Sequence, residues 1–114
     1  MNEGVKTILY PVTDLAKAKA LFTALLGVKP MADAPYYVGF ETGGQHIGLV
    51  PNGHGTGMTG PVAYWKVDDI EKSKKALTEG GATVAEDVKE VRGGRRVATL
   101  KDADGNPIGL LQDK

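Results

Sequence analysis

The sequence predicts a small α+β domain built from two related halves, each a strand, a helix and then further strands. Three observations lead there. Short β-branched and aromatic runs alternate with helix-patterned segments and glycine turns. Val12-Thr13-Asp14-Leu15 and Val67-Asp68-Asp69-Ile70 each close a strand and open a helix, at an offset of 55 residues. Ile47-Gly48-Leu49 and Ile108-Gly109-Leu110 each form the last strand of a half, at an offset of 61. Matching segments at matching places in the element order point to duplication. The 114 residues are read as a single domain, 1–114, with internal modules at approximately 5–50 and 62–111. A Gly/Pro-rich loop, 51–61, joins them.

Val5 to Val12 reads as the first strand, running up to Pro11. Thr13 or Asp14 caps a helix whose apolar face carries Leu15, Ala18, Phe22, Leu25 and Leu26, and Gly27 stops it. A loop with Pro30 and Pro35 follows. Tyr36 to Glu41 and Gln45 to Val50 are then two strands joined by a tight Gly43-Gly44 turn. In the second half, Val62 to Val67 is a strand, and Asp68 with Glu71 forms a D-x-x-E capping box. The helix it opens buries Ile70, Ala76 and Leu77 and stops at Gly80-Gly81. Ala82 to Val88, Arg95 to Lys101 and Asn106 to Leu111 supply three more strands, with turns at Gly93-Gly94 and Asp104-Gly105.

Composition excludes several functions. Acidic and basic residues balance at 14 each, so no long-range field gathers nucleic acid or anionic lipid. The chain has no cysteine, which removes disulfides, thiolate nucleophiles and thiolate metal sites together. No apolar leader follows Met1 and no stretch is long enough to span a membrane, so a cytoplasmic protein with no nucleic-acid and no membrane partner is expected.

The chemistry-bearing motifs are few. Gly55 to Gly60 spells G-x-G-x-x-G, but Pro61 and a strand follow it where phosphate binding needs a helix N-terminus. Asp102-x-Asp104-Gly105 resembles the start of a calcium loop, yet its glycine is too early and the bidentate Glu is absent, so it reads as a turn. The two histidines, His46 and His54, lack the spacing of a helical metal pair, and no Ser, His and acid constellation is present. His46 is either a base or substrate contact or a half-buried structural group; His54 reads as a surface residue. Arg92, Arg95 and Arg96 are either an anion contact or a solvated edge that discourages strand pairing.

Strand parity then separates the faces. If Ile47, Leu49, Ile108 and Leu110 pack beneath the helices, Gly48 and Gly109 face the other side and leave room there. Thr7, Leu9, Val62, Tyr64 and Lys66 share that side, giving a mixed surface suited to a small molecule. Tyr36 and Tyr37 stand where they close the site or join the core.

The pattern resembles the vicinal oxygen chelate superfamily, which includes glyoxalase I, extradiol dioxygenases and bleomycin-resistance proteins. Val12-Thr13-Asp14-Leu15 through Leu26-Gly27, Val67-Asp68-Asp69-Ile70, and Asp102-Ala103-Asp104-Gly105-Asn106-Pro107-Ile108 carry the resemblance, which runs from Val5 to Leu111. It implies two βαβββ modules forming curved mixed sheets around a cavity, often in a homodimer. It also implies metal-ligand places at Thr7, Gly48, Val62 and Gly109, where family enzymes carry His, Gln or Glu and this chain carries none.

The expectation is therefore metal-independent binding of a small organic molecule with no cofactor. Thr7, Leu9, Tyr36, Tyr37, His46, Gly48, Tyr64, Lys66 and Gly109 are the expected ligand-binding residues. A metal-free isomerase or lyase using His46, Tyr64 or Lys66 is one alternative, and a homodimeric interaction or regulatory module is the other.

Overall fold

In the computed structural model, residues 2–114 are described, except for the side chain of Arg92. The elements run β1 (Asn2–Pro11), α1 (Leu15–Leu26), β2 (Ala32–Ala34), β3 (Tyr37–Thr42), β4 (Gln45–Val50), a 3-10 turn at His54–Thr56, β5 (Val62–Val67), α2 (Ile70–Glu79), β6 (Thr83–Glu90), a second 3-10 turn at Arg92–Gly94, β7 (Arg96–Lys101) and β8 (Pro107–Gln112). Two compact units form: one holds residues 7–62, the other residues 63–114 with the start of β1 through Lys6. Among the described residues no helix is long and apolar enough to cross a membrane.

In the first unit the strand order is β2-β3-β4-β1. β1 runs parallel to β4, with Thr7 opposite His46 and Leu9 opposite Gly48, while β2, β3 and β4 are antiparallel neighbours. In the second unit the order is β5-β8-β7-β6, with β5 parallel to β8 and Tyr64 opposite Gly109. Both units thus place the first strand beside the last, as the crossover through a helix demands.

The sheet is open, neither closed nor strongly curled, which overturns the expectation of curved mixed sheets around a cavity. Closure needs edge strands able to pair. The edge strand β2 has only three residues. The edge strand β6 is almost wholly exposed, carries Glu86, Asp87, Lys89 and Glu90, and breaks register twice against β7. Short, charged and bulged edges resist further pairing.

Each unit has its own core. Val38, Phe40, Ile47 and Leu49 are buried in the first, with Ile8, Tyr10, Leu15, Ala18, Phe22 and Leu26 packed on them. Tyr10 and Phe22 meet with ring centroids 5.0 Å apart. Val67, Ile70, Ala98, Leu100 and Leu110 form the second, flanked by Leu77, Ala82 and Val88. Two sequence expectations fail here: Leu25 is 71% exposed rather than on the buried stripe, and Ala76 is exposed.

Helix ends explain the boundaries. Asp14 Oδ1 accepts from the Lys17 amide at 3.1 Å, and Gly27, at φ 71°, donates its amide to Thr23 O at 2.9 Å. The second helix starts one residue later than the expected capping box: Asp69, not Asp68, is the cap, and its Oδ1 accepts from the Lys72 amide at 3.1 Å. Gln112 at the end of β8 reaches the same helix end, where its Oε1 accepts from the Ile70 amide at 2.7 Å. Asp69→Ala is expected to cost about 1 kcal/mol. Gln112→Ala leaves the Ile70 N–H without that partner and is expected to cost ~1–3 kcal/mol; urea midpoints read both.

The Asp102 segment is a self-contained turn. Its Oδ1 accepts from the Asp104 and Asn106 amides, each at 2.9 Å, and its Oδ2 from Asn106 Nδ2 at 3.0 Å. The Asn106 side chain, then its backbone amide, hold the Asp102 carboxyl below its ordinary 3.8. A depressed folded-state value stabilises the fold above the unfolded value, and that contribution disappears as pH falls through the folded one. Asp102→Asn should therefore flatten the loss of stability on acidification below about pH 4, measured by urea unfolding at a series of pH values.

Candidate functional site

Parity places Ile8, Tyr10, Val38, Phe40, Ile47 and Leu49 under α1. The alternate residues Thr7, Leu9, Tyr37, Gly39, His46 and Gly48 project from the opposite face of the first unit. Gly39 lies opposite Gly48 across β3 and β4, so this face has a floor of two residues without side chains. Tyr37 and His46 lie over that floor. Their rings stack at 9° with centroids 6.3 Å apart, and Tyr37 Oη is 2.8 Å from His46 Nε2. In the tautomer with hydrogen on Nδ1, the Tyr37 hydroxyl donates to Nε2.

The glycines are required by this arrangement. A Cβ at Gly39 would meet Tyr37 Cε2 at 3.0 Å and His46 Nε2 at 3.2 Å. One at Gly48 would meet the Tyr37 hydroxyl, and Leu9 Cδ2 at 2.6 Å. The room left at Gly48 is thus filled by Tyr37 and Leu9. Thr7, opposite His46, is buried.

The second unit has a parallel arrangement on the face away from α2. Tyr64 covers Gly109, where a Cβ would meet its Cγ and Cδ2 at 2.6 Å and the Ala63 carbonyl oxygen at 2.9 Å. Lys66 Nζ lies 3.4 Å from Asp113 Oδ2 and 3.7 Å from Glu3 Oε1, and Arg95 Nε donates to Asp113 Oδ1 at 2.8 Å. Burial pushes the Asp113 carboxyl up, but Arg95 and Lys66 outweigh it and hold the group below the usual carboxylate range.

The structure therefore brings Thr7, Leu9, Tyr37, His46 and Gly48 together on one face, and Tyr64, Lys66 and Gly109 onto one face of the other unit. Tyr36 joins neither: it sits in the turn before β3 and is 70% exposed. His54 is exposed in its 3-10 turn. Arg95 and Arg96 are held by Asp113 and Glu71, and the Arg92 side chain lies outside the described residues. The Tyr37–His46 contact is what sequence reasoning missed. Its signal is the glycine at 39: the Gly43-Gly44 hairpin puts Glu41, not Tyr37, opposite His46, and only a missing side chain between lets Tyr37 lean across.

The residues at the four implied metal places do not fit a divalent ion. They offer one threonine hydroxyl, one buried valine and two glycines already covered by neighbours, and the nearby His46 Nε2 is hydrogen-bonded to Tyr37. Among the described residues no three His, Cys, Asp or Glu side chains gather.

Two grooves lie elsewhere, on the helix side of each unit. One of about 810 Å³ runs between α1 and the β2–β3 turn; the other, of about 310 Å³, is lined by Trp65, Ser73, Leu77 and Leu110. Both are broad, open and mostly apolar. The Tyr37–His46 contact lies on the opposite face of its unit from the larger groove.

Residues 4–110 match the sequence model of a family described as the Glyoxalase/Bleomycin resistance protein/Dioxygenase superfamily. No curated protein matches the sequence. Solved structures share the fold. Hypothetical protein BH1468 from Bacillus halodurans C-125 superposes with a TM-score of 0.78 at 19% identity, over 99% of this chain and 95% of that one. A glyoxalase/bleomycin resistance protein/dioxygenase superfamily member from Vibrio splendidus 12B01 gives 0.73 at 18%, over 100% of both. Methylmalonyl-CoA epimerase from Mycobacterium tuberculosis gives 0.72 at 17%, over 99% of this chain and 89% of that one.

Proposed function

This chain belongs to the Glyoxalase/Bleomycin resistance protein/Dioxygenase superfamily, and from that membership we propose that it binds a small organic molecule without a metal ion, on the face carrying Thr7, Leu9, Tyr37, His46 and Gly48. The superfamily's fold is a small-molecule-binding fold. The Tyr37–His46 hydrogen bond over paired glycines supports the choice of face. It presents two flat rings, on which a planar ligand can stack.

The same hydrogen bond favours a second reading, metal-free isomerase or lyase chemistry. A histidine and a phenol 2.8 Å apart can pass a proton to and from a bound substrate. In that reading Tyr37 takes the part expected of Tyr64 or Lys66, because Tyr64 is packed on Gly109 and Lys66 is ion-paired with Glu3 and Asp113.

A thermal-shift panel of planar aromatics and small carboxylic acids, with and without chelator, tests both. A ligand at one hundred times its Kd is expected to stabilise the protein by about 2.7 kcal/mol, unaffected by chelator and lost in His46→Ala. Stabilisation that chelator abolishes, or none across the panel, overturns the binding reading. Turnover that survives chelator and disappears in His46→Ala and Tyr37→Phe selects the enzyme.

A further inference from the structure

Two cations converge on one carboxylate at the end of β8. The strand order β5-β8-β7 puts Lys66 of β5 on one side of that strand and Arg95, the residue before β7, on the other. Arg96 and Gln112 turn to α2, where they meet Glu71 and the Ile70 amide, so their neighbours Arg95 and Asp113 take the opposite face. Lys66 joins them there.

Neither cation is fully used. Arg95 donates to Asp113 Oδ1 through Nε alone, at 2.8 Å, which leaves both terminal nitrogens of its fork outside the bond. Lys66 Nζ stands 3.4 Å from Asp113 Oδ2 and 3.7 Å from Glu3 Oε1. Both distances exceed the roughly 2.7–2.9 Å of a charge-assisted bond. The cations are nonetheless firmly placed. Lys66 lies inside β5 opposite Leu111, and the Arg95 carbonyl accepts from the Val91 amide at 2.6 Å. Their anion is not. Asp113 follows the last residue of β8, so it can swing away without breaking a strand pair, and its side chain is 40% exposed. Past it, the Lys114 stem lies over Gly94, a contact made by a flexible side chain.

We propose that Lys66 and Arg95 form a carboxylate-binding site, that Asp113 occupies it in place of a ligand, and that a small organic acid enters by displacing Asp113. Exposed ion pairs contribute little stability, so exchanging one carboxylate for another is nearly balanced. A ligand carboxylate free to align with the arginine fork makes two parallel bonds where Asp113 makes one, which tips the exchange toward the ligand. Once Asp113 has swung out, two cations face Glu3 alone, and the surplus positive charge attracts the incoming anion. All four side chains belong to the second unit, and the site is independent of the ligand reading for the Tyr37–His46 face.

Isothermal titration with succinate at constant ionic strength should show weak binding to the unmodified protein. Binding to Asp113→Asn should be at least about tenfold tighter, because the internal competitor is gone. Adding Lys66→Ala or Arg95→Ala to that variant should abolish the gain, whereas adding Lys101→Ala, which removes a cation at the far end of β7, should keep it. In the unmodified protein the carbon-13 resonance of the Asp113 carboxyl should move toward that of a free aspartate as succinate saturates. Circular dichroism checks that each variant is folded. Succinate that binds neither protein, binds both equally, or loses as much affinity through Lys101→Ala as through Lys66→Ala overturns the site. Saturation with an unmoved Asp113 resonance overturns the displacement.

Discussion

Phe40→Ala will lower the unfolding free energy by about 3–5 kcal/mol, the largest loss from any one side chain of the first unit. Phe40 is fully buried at the centre of a cluster with Val38, Ile47 and Leu49 below α1. Its removal subtracts the transfer energy of a benzyl group and leaves a cavity that β-strand backbones on both sides cannot collapse into. Since a domain of this kind holds only about 5–15 kcal/mol in total, the variant will unfold at a visibly lower urea concentration. Phe40→Leu, which keeps much of the volume, should retain most of the stability, with an unchanged dependence on denaturant.

The second large effect comes from adding a single carbon. Gly→Ala ordinarily stabilises by about 0.4–1 kcal/mol by restricting the unfolded chain, and neither Gly48 nor Gly109 has a positive φ that would oppose it. Both substitutions are nonetheless expected to destabilise, by ~1–3 kcal/mol, through overpacking. Gly109→Ala should be the worse. Its new methyl meets the near end of the Tyr64 ring and the Ala63 carbonyl, neither of which can swing away. At Gly48 the obstacles are the far ends of Tyr37 and Leu9, which can. Tyr64→Ala in the Gly109→Ala background should restore part of the loss, so a double-mutant cycle measured by urea unfolding will show coupling. Additive losses in that cycle would show that the ring is not what the methyl meets.

Much of the secondary structure was legible because its punctuation is local. β4 and β5 begin and end where Gly43-Gly44, Pro51 and Pro61 imply, and Asp14 and Gly27 mark the ends of α1 through their own caps. Strand parity also sufficed to put Ile47 and Leu49 under a helix, with His46 and Gly48 on the other face. What failed depends on packing and pairing that local pattern does not encode. β2 is three residues long and exists only as a neighbour of β3, so no alternation reveals it. Asp68 and Asp69 are equivalent as local caps, and the helix end at Ile70 is also held by Gln112, 42 residues away. Leu25 fits the apolar period of α1 but falls at the edge of the buried arc. Sheet curvature came from resemblance, and the charged, bulged β6 and the short β2 left the sheet open instead.

The pairing of first strand with last carries a consequence for the order of synthesis. β1 finds its parallel partner once Val50 has been made, so the first unit's strands and helix are all present by mid-chain. β5 must wait for β8, and the amide of Ile70 waits for Gln112. As the chain leaves the ribosome, the second unit therefore holds Val67 and Ile70 without Leu110 and Gln112 until β8 has been made. The earlier unit has its strands and helix well before the later one, which waits for β8, and in that interval the unpartnered apolar side chains of the later unit are open to aggregation and to chaperones.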